Sequence, residues 1–363
     1  MIKNLKALLF GVILALLLCE LVLRIYNPLR NFSRHGDLLL PASQQTVFVN
    51  KWLPQLDKQI RYSRNELGFR GKMPTDSIHK LNSIICIGGS TTECRFLSDD
   101  QTWPHLLQQQ LQTTVPGLWI NNAGIDGHST FGHQLLLKEY IAPLKPRYVL
   151  LLTGINDVET GQPQLYDEMN RNAIQFHSVK GFIKSLFNKT ETGATLFQLY
   201  AMKLAYKKGL VHKDVQFAAL PDTLLQPSYM QAQQLLQQPY LSSYRNRLQQ
   251  IITLCKTHHI TPVLLTQPSL FGAYKDASLN LLMDFKYLPG EQPVRNNLLK
   301  GQILESYNEV VRSFAGQTPV IDLAKLMPKQ TNLYYDFIHF NKSGAAQVAV
   351  VIARELQPLL LQQ

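Results

Sequence analysis

Ser90 closes a short apolar run, Ile84-Ile85-Cys86-Ile87-Gly88-Gly89-Ser90-Thr91-Thr92, and Asp336-Phe337-Ile338-His339 lies near the far end of the chain. A hydroxyl is a poor nucleophile until a base takes its proton. An imidazole serves as that base when a carboxylate fixes its tautomer and orientation. Ser90, His339 and Asp336 supply these three parts. The spacing of Asp336 and His339 suits a loop or a single turn on which the carboxylate reaches Nδ1.

Two further segments could serve the same chemistry. Asn121-Asn122-Ala123-Gly124 follows one apolar run and Thr153-Gly154-Ile155-Asn156-Asp157 another. Acyl transfer builds negative charge on a carbonyl oxygen, which fixed N–H donors stabilise. The Ser90 N–H, the Gly124 N–H and the Asn156 side-chain amide are the candidate donors. Gly88 and Gly89 let the backbone turn sharply at the strand end. The run is not a Walker loop, since no G-K-[ST] follows, nor the G-x-S-x-G elbow of α/β-hydrolases. His128 and His133 are possible metal ligands, but the expectation is of surface or supporting histidines. Cys19, Cys86, Cys94 and Cys255 include no C-x-x-C pair, which argues against a structural zinc or thioredoxin-like site. Free buried thiols are expected, with a Cys94–Cys255 bridge as the alternative. No cofactor or metal is expected.

The elements that must position these groups follow from the hydrophobic pattern. Runs of strand length occur at Ile84–Ile87, Leu118–Ile120, Tyr148–Thr153, Pro262–Thr266 and Pro319–Ile321. Helical patterns lie between them at Trp103–Leu111, His133–Ile141, Tyr244–Cys255 and Leu299–Phe314, and a last helix spans Ser343 to about Leu360. Short apolar strands alternating with helices imply a parallel sheet covered on both faces. Active groups then gather beyond the carboxyl ends of the strands. Residues 158–240 break the rhythm and predict a helical insertion, either over the active-site edge or as a structural excursion. Residues 30–80 form a polar, basic lead-in, with a tight turn at Asn65-Glu66-Leu67-Gly68-Phe69-Arg70-Gly71.

The N-terminus predicts a membrane anchor. Ala7 to Cys19 is uncharged and apolar, and Leu21-Val22-Leu23 extends the run past Glu20 to about the minimum length of a span. Glu20 and Arg24 can pair on one helix face. No small-residue cleavage site follows, and Leu18 before Cys19 does not fit a lipoprotein signal, so an uncleaved signal-anchor is expected. Lys3 and Lys6 precede the run and Arg24, Arg30 and Arg34 follow it, so positive charge does not choose the orientation. The short leading tail favours a body outside the cytoplasm, periplasmic or extracellular. Residues 1–80 hold 12 Lys/Arg against 5 Asp/Glu, which is +7 of the net +11. A basic stretch beside an anchor suits anionic headgroups or a solvated surface. No nucleic-acid-binding signature accompanies it.

Taken together, these segments resemble the SGNH/GDSL hydrolase superfamily. Gly88-Gly89-Ser90-Thr91-Thr92 is similar to its first block, Gly124 to the second, Gly154-Ile155-Asn156-Asp157 to the third and Asp336-Phe337-Ile338-His339 to the last. The blocks arrive in family order over roughly residues 83–360. Glu20-Leu21-Val22-Leu23-Arg24 and Gly68-Phe69-Arg70-Gly71 resemble segments of membrane-anchored bacterial members. One departure is Gly89, where the family usually carries Asp. The resemblance implies an α/β fold, a three-layer α/β/α sandwich with a five-stranded parallel sheet, flavodoxin-like, after one transmembrane helix. It implies an anchor at 1–29, a lead-in at 30–80 and a hydrolase domain at 81–363. It also implies a serine ester hydrolase with the triad Ser90, Asp336 and His339 and an oxyanion hole of Ser90, Gly124 and Asn156. Its expected partners are an acylated glycan or lipid of the cell envelope and the membrane, with no nucleic acid. An O-acyltransferase using the same acyl-enzyme is the alternative, followed by a non-catalytic assembly or carbohydrate-binding protein on this fold.

Overall fold

The computed structural model describes residues 2–26, 32–35, 38–164, 167, 190–193, 195, 196, 199, 212 and 214–361. The chain forms two compact units, Met1–Pro41 with Met169–Val211, and Ala42–Glu168 with His212–Gln363.

The first unit contains α1 (Ile2–Ile25), whose described side chains from Lys6 onward are nearly all exposed. Its Lys6–Ile25 stretch is long and apolar enough to cross a bilayer, at about 1.5 Å of rise per residue. Glu20 and Arg24 pair at 2.9 Å, as their spacing predicts. The same carboxylate accepts hydrogen bonds from the Glu191 N–H, the Thr192 N–H and the Thr192 hydroxyl, at 3.1, 3.0 and 2.9 Å. Phe32–His35 and Leu38–Pro41 form an antiparallel hairpin.

The second unit is built on five parallel strands. They are β1 (Asn82–Gly88), β2 (Leu118–Asn122), β3 (Tyr148–Leu152), β4 (Thr261–Leu265) and β5 (Val320–Ile321). Their order is β5-β4-β3-β1-β2, all parallel. Every residue of β3 is buried, as are the last six of β1. That is why their sequences run apolar without alternation: helices cover both faces. On one side α2 (Trp103–Leu111) packs with α7 (Lys342–Leu361). The other layer holds α3 (Thr130–Leu136), α5 (Gln238–Thr257) and α6 (Asn297–Arg312), with α4 (Pro227–Leu235) against α6. The α/β/α sandwich is thus as expected. Helix α7 is also apolar enough to span a membrane, but half of it is buried in this domain. Nearly half of the 158–240 segment lies outside the described residues, so the expected helical insertion falls partly on them. Its described end forms α4 and the first turns of α5.

Helix starts are set by local chemistry. The Ser129 hydroxyl accepts from the Phe131 N–H at 3.2 Å and caps α3. Asn296 Oδ1 accepts from the Leu299 N–H at 3.0 Å and caps α6. Pro104 occupies the first turn of α2, where its missing N–H costs nothing. The four cysteines are free, with Cys86, Cys94 and Cys255 buried and Cys19 exposed on α1, so no Cys94–Cys255 bridge forms.

Part of the lead-in carries more of the fold than its composition suggests. Gln44–Val49 and Gln59–Arg64 pair as a hairpin. The turn after it holds Gly68 at φ 78° and Gly71 at φ 136°. This segment sends two buried arginines beneath the Ser90 turn. Arg64 Nη2 meets Glu93 Oε1 at 2.8 Å, with both side chains under 5% exposed. Arg70 donates to the carbonyls of Glu93, Cys94 and Leu97 at 2.7, 2.8 and 2.9 Å, and pairs with Asp99 at 2.7 Å. Burial opposes the charge on Glu93. Arg64, Arg95 and Arg70, with the Tyr62 hydroxyl at 2.6 Å, overcome it and hold the carboxyl well below its usual range. Arg64→Met should therefore lower unfolding free energy by about 3–5 kcal/mol, because it leaves an uncompensated buried carboxylate. Denaturant titration of the full-length chain measures this, and an unchanged midpoint would mean that Glu93 gains water when Arg64 is lost.

Candidate active site

The site lies beyond the carboxyl ends of β1, β2 and β3, where the strand order reverses around β1. Crevices form at such a switch point because successive connections leave on opposite faces. Strand β1 ends at Gly88, Gly89 follows in extended backbone, and Ser90 begins a single helical turn, Ser90–Glu93. Two glycines are needed here for space. A Cβ on Gly88 would lie 2.1 Å from Thr92 Oγ1 and 2.8 Å from the Leu152 carbonyl. One on Gly89 would lie 2.4 Å from Asn156 Nδ2 and 3.2 Å from the His128 carbonyl. The absence of Asp at position 89 thus has a local reason, since Asn156 already fills the place such a side chain would take.

The turn brings Ser90 Oγ to 2.7 Å from His339 Nε2, and His339 Nδ1 lies 2.6 Å from Asp336 Oδ2. An ionised carboxylate only accepts, so Nδ1 carries the proton and Nε2 offers its lone pair to the serine hydroxyl. Asp336 is itself fixed. Its Oδ1 accepts from the Ile338 and His339 backbone N–H groups at 2.8 and 2.7 Å. The loop is tied down by the Leu270 N–H, which donates to the Phe337 carbonyl at 2.7 Å. Burial opposes charge on both members of the pair. Their mutual attraction outweighs it, so the Asp336 pKa is lowered and the His339 pKa is raised, with Asp126 adding to the latter.

Of the expected oxyanion donors, two meet at the serine and one does not. Ser90 starts its turn, so its N–H has no carbonyl four residues back to bond. Asn156 Nδ2 lies against Gly89 and gives one of its two hydrogens to the His128 carbonyl at 2.9 Å. Gly124 serves a different purpose. Its N–H donates to Asn122 Oδ1 at 2.9 Å, and a Cβ there would lie 2.3 Å from the Glu93 nitrogen. It permits close packing on the far end of the Ser90 turn. Gly127, three residues on, has a left-handed φ of 75°, and no acceptor for its N–H is found among the described residues. Its neighbour His128 is the residue whose carbonyl abuts both Gly89 and Asn156. The Asp126-Gly127 pair was a turn signal available in the sequence.

His212 has no sequence signal, yet its ring lies over that of His339, centroids 4.1 Å apart. Tyr335 stacks with His339 at 5.5 Å and an interplanar angle of 8°. His212 Nδ1 is 2.6 Å from the Tyr335 hydroxyl and its Nε2 3.4 Å from Asp126 Oδ2. Among the described residues, His212, Asp336 and His339 form the one cluster with three potential metal-ligand atoms, all within 4.8 Å of one another. Asp336 Oδ2 and His339 Nδ1 are already spent on each other. His128 and His133 are buried, not at the surface, with rings 6.1 Å apart, and burial pushes His133 down to about 3. Nearby Asp157 accepts from the Thr130 N–H at 3.0 Å and faces Arg247, while burial raises its pKa to about 6. This buried group holds the start of α3 against the Asn156 loop.

Residues 86–347 match the model of the GDSL-like lipase/acylhydrolase family. Among solved structures, the acetylxylan esterase Axe2 from Geobacillus stearothermophilus is similar at 16% identity and a TM-score of 0.42, over 77% of this chain and 96% of that one. A member of the lipolytic G-D-S-L family from Veillonella parvula is similar at 13% identity and a TM-score of 0.41, over 76% of this chain and 98% of that one. A GDSL-like lipase from Bacteroides thetaiotaomicron is similar at 13% identity and 0.39, over 78% and 89%. Likenesses this distant say nothing of substrate. No curated protein matches.

The two glycines should respond differently to alanine. Gly88→Ala drives a methyl into the fixed Leu152 carbonyl and should cost about 1–3 kcal/mol or more in stability. Gly89→Ala meets chiefly the end of a side chain, so it should displace Asn156 and reduce turnover at a smaller stability cost. Thermal melts beside ester turnover check this, and equal melting losses would contradict it.

Proposed function

Since this chain belongs to the GDSL-like lipase/acylhydrolase family and is a carboxylic ester hydrolase, we propose that Ser90, His339 and Asp336 are its catalytic triad. The observation that carries the reading is the unbroken chain Ser90 Oγ, His339 Nε2, His339 Nδ1, Asp336 Oδ2, with both links under 2.8 Å. Ser90 Oγ attacks the ester carbonyl while His339 Nε2 takes its proton. The tetrahedral intermediate collapses as His339 returns that proton to the leaving alkoxide, giving an acyl-enzyme and an alcohol. Water, activated by the same imidazole, then releases the acid and restores Ser90. Asp336 keeps the tautomer correct and stabilises the imidazolium at each stage.

The Ser90 N–H and the second hydrogen of Asn156 Nδ2 hold the oxyanion. The Gly127 N–H, which has no acceptor among the described residues, is a better third donor than that of Gly124, which is committed to Asn122. Each such donor contributes about 10²–10³ in turnover. The substrate is an acylated glycan or lipid of the cell envelope. Support comes from α1, which is long and apolar enough to serve as a membrane anchor.

Ser90→Ala should remove hydrolysis of p-nitrophenyl esters and labelling by a fluorophosphonate, with the melting temperature little changed. Retained turnover would exclude Ser90 as nucleophile. The rate should also follow the protonation of His339. Its pKa is raised in the folded protein and only the neutral ring accepts a proton. Activity should therefore be low in acid, and kcat/KM should rise through an apparent pKa above the ordinary value of about 6.5. A limb lying below that value would contradict the Asp336–His339 coupling.

A further inference from the structure

A cavity of about 480 Å³ opens beside the triad and has no part in the proton transfers. Its apolar wall is made by Ile155, Val158, Phe271, Ile303, Leu304 and Ile338. Two of these fix its position. Ile155 precedes the oxyanion residue Asn156, and Ile338 precedes His339. The cavity therefore begins between the loop that holds the carbonyl oxygen and the loop that holds the base.

The polar residues at the cavity have their charges matched. Arg295 pairs with Glu159, and its guanidinium also donates to Gln233 Oε1 at 3.1 Å. Lys300 pairs with Glu291. A ligand entering here meets an apolar wall with a rim whose charges are paired, which suits hydrocarbon over an anion, although Arg295 Nε is buried without a partner among the described residues. An acetyl group would occupy a small part of the volume and leave the rest of the wall against water.

We propose that this cavity is an acyl pocket selecting straight acyl chains of medium length over acetyl. The assignment rests on Ser90 being the nucleophile. Because the wall gains contact with each added carbon, the specificity constant should climb about fourfold per methylene until the cavity is full, the factor that about 0.8 kcal/mol of transfer free energy gives. Beyond that length it should level off or fall.

The test is kcat/KM for p-nitrophenyl acetate, butanoate, hexanoate, octanoate, decanoate and dodecanoate with the full-length chain in detergent, with Ser90→Ala as the blank. Val158→Trp fills the cavity from a loop and should lower the octanoate-to-acetate ratio at least about tenfold. Ile303→Ala enlarges it and should move the optimum to a longer chain. A variant that is merely misfolded loses both activities together and leaves the ratio unmoved, so two unmoved ratios would overturn the assignment. Ser90-dependent turnover that is flat or falling from acetate onward would overturn the acyl pocket and leave the triad standing. A cavity holding the alcohol instead would show as an unmoved acyl profile with Val158→Trp changing the preference among acetate esters of longer alcohols. Failure of Ser90→Ala to reduce turnover of any ester would remove the triad, and the pocket with it.

Discussion

Glu93 carries a negative charge into the interior three residues after Ser90, and much of the surrounding structure answers that charge. A buried carboxylate survives only when it is paired and hydrogen-bonded. Arg64 pairs with it, the Tyr62 hydroxyl donates to the same oxygen, and the Asp126 N–H donates to the other at 2.6 Å. These three partners come from the strand before the sheet, from that same strand, and from the loop after β2. One carboxylate thus joins the hairpin, the Ser90 turn and the loop that runs on to Gly127. Arg70 finishes the task by satisfying the carbonyls at the end of the Ser90 turn, which a one-turn helix cannot satisfy itself.

This arrangement explains how a four-residue helix can hold the Ser90 hydroxyl still. Helical hydrogen bonding alone gives a turn of this length little stability. Its start is set by steric fit, since Gly88 and Gly89 let β3 and Asn156 approach more closely than any side chain would allow. Its end is set by electrostatics, through Arg64 and Arg70. Ser90 Oγ is left between the two and is directed at His339 without support from a carboxylate at position 89.

The sheet was legible because its strands are buried on both faces and so read as continuous apolar runs bounded by turns. Strand and helix positions in the sequence differ from the structure by a few residues at most in β1 to β5. The largest differences are in α3, which starts at Thr130, and α5, which starts at Gln238. In α5 the residues before Tyr244 are Gln-, Pro- and Ser-rich and lack apolar periodicity. The Asp336–His339 pair was legible because the two residues are close in sequence. Residues joined only by the fold were not: Arg64 and Arg70 look like surface charge in a basic segment, and His212 carries no local pattern at all. Gly124 and Gly127 are alike in sequence. What separates them is the Asn122 side chain, which takes up one N–H and leaves the other.

His212 shows how the His339 ring is held from the side. A hydrogen bond to Asp336 fixes the His339 ring at one nitrogen but leaves it free to tilt about that bond. Tyr335 and His212 both pack against the ring and restrict the tilt, and they are bonded to each other through the Tyr335 hydroxyl. Asp126 closes the group at His212 Nε2 and also adds to the field that raises the His339 pKa. The residue that orders the Glu93 partner loop through its backbone therefore orders the base through its side chain. Disturbance of Asp126 would reach Ser90 and His339 by separate routes, which links the two through one loop rather than through the Ser90–His339 hydrogen bond alone.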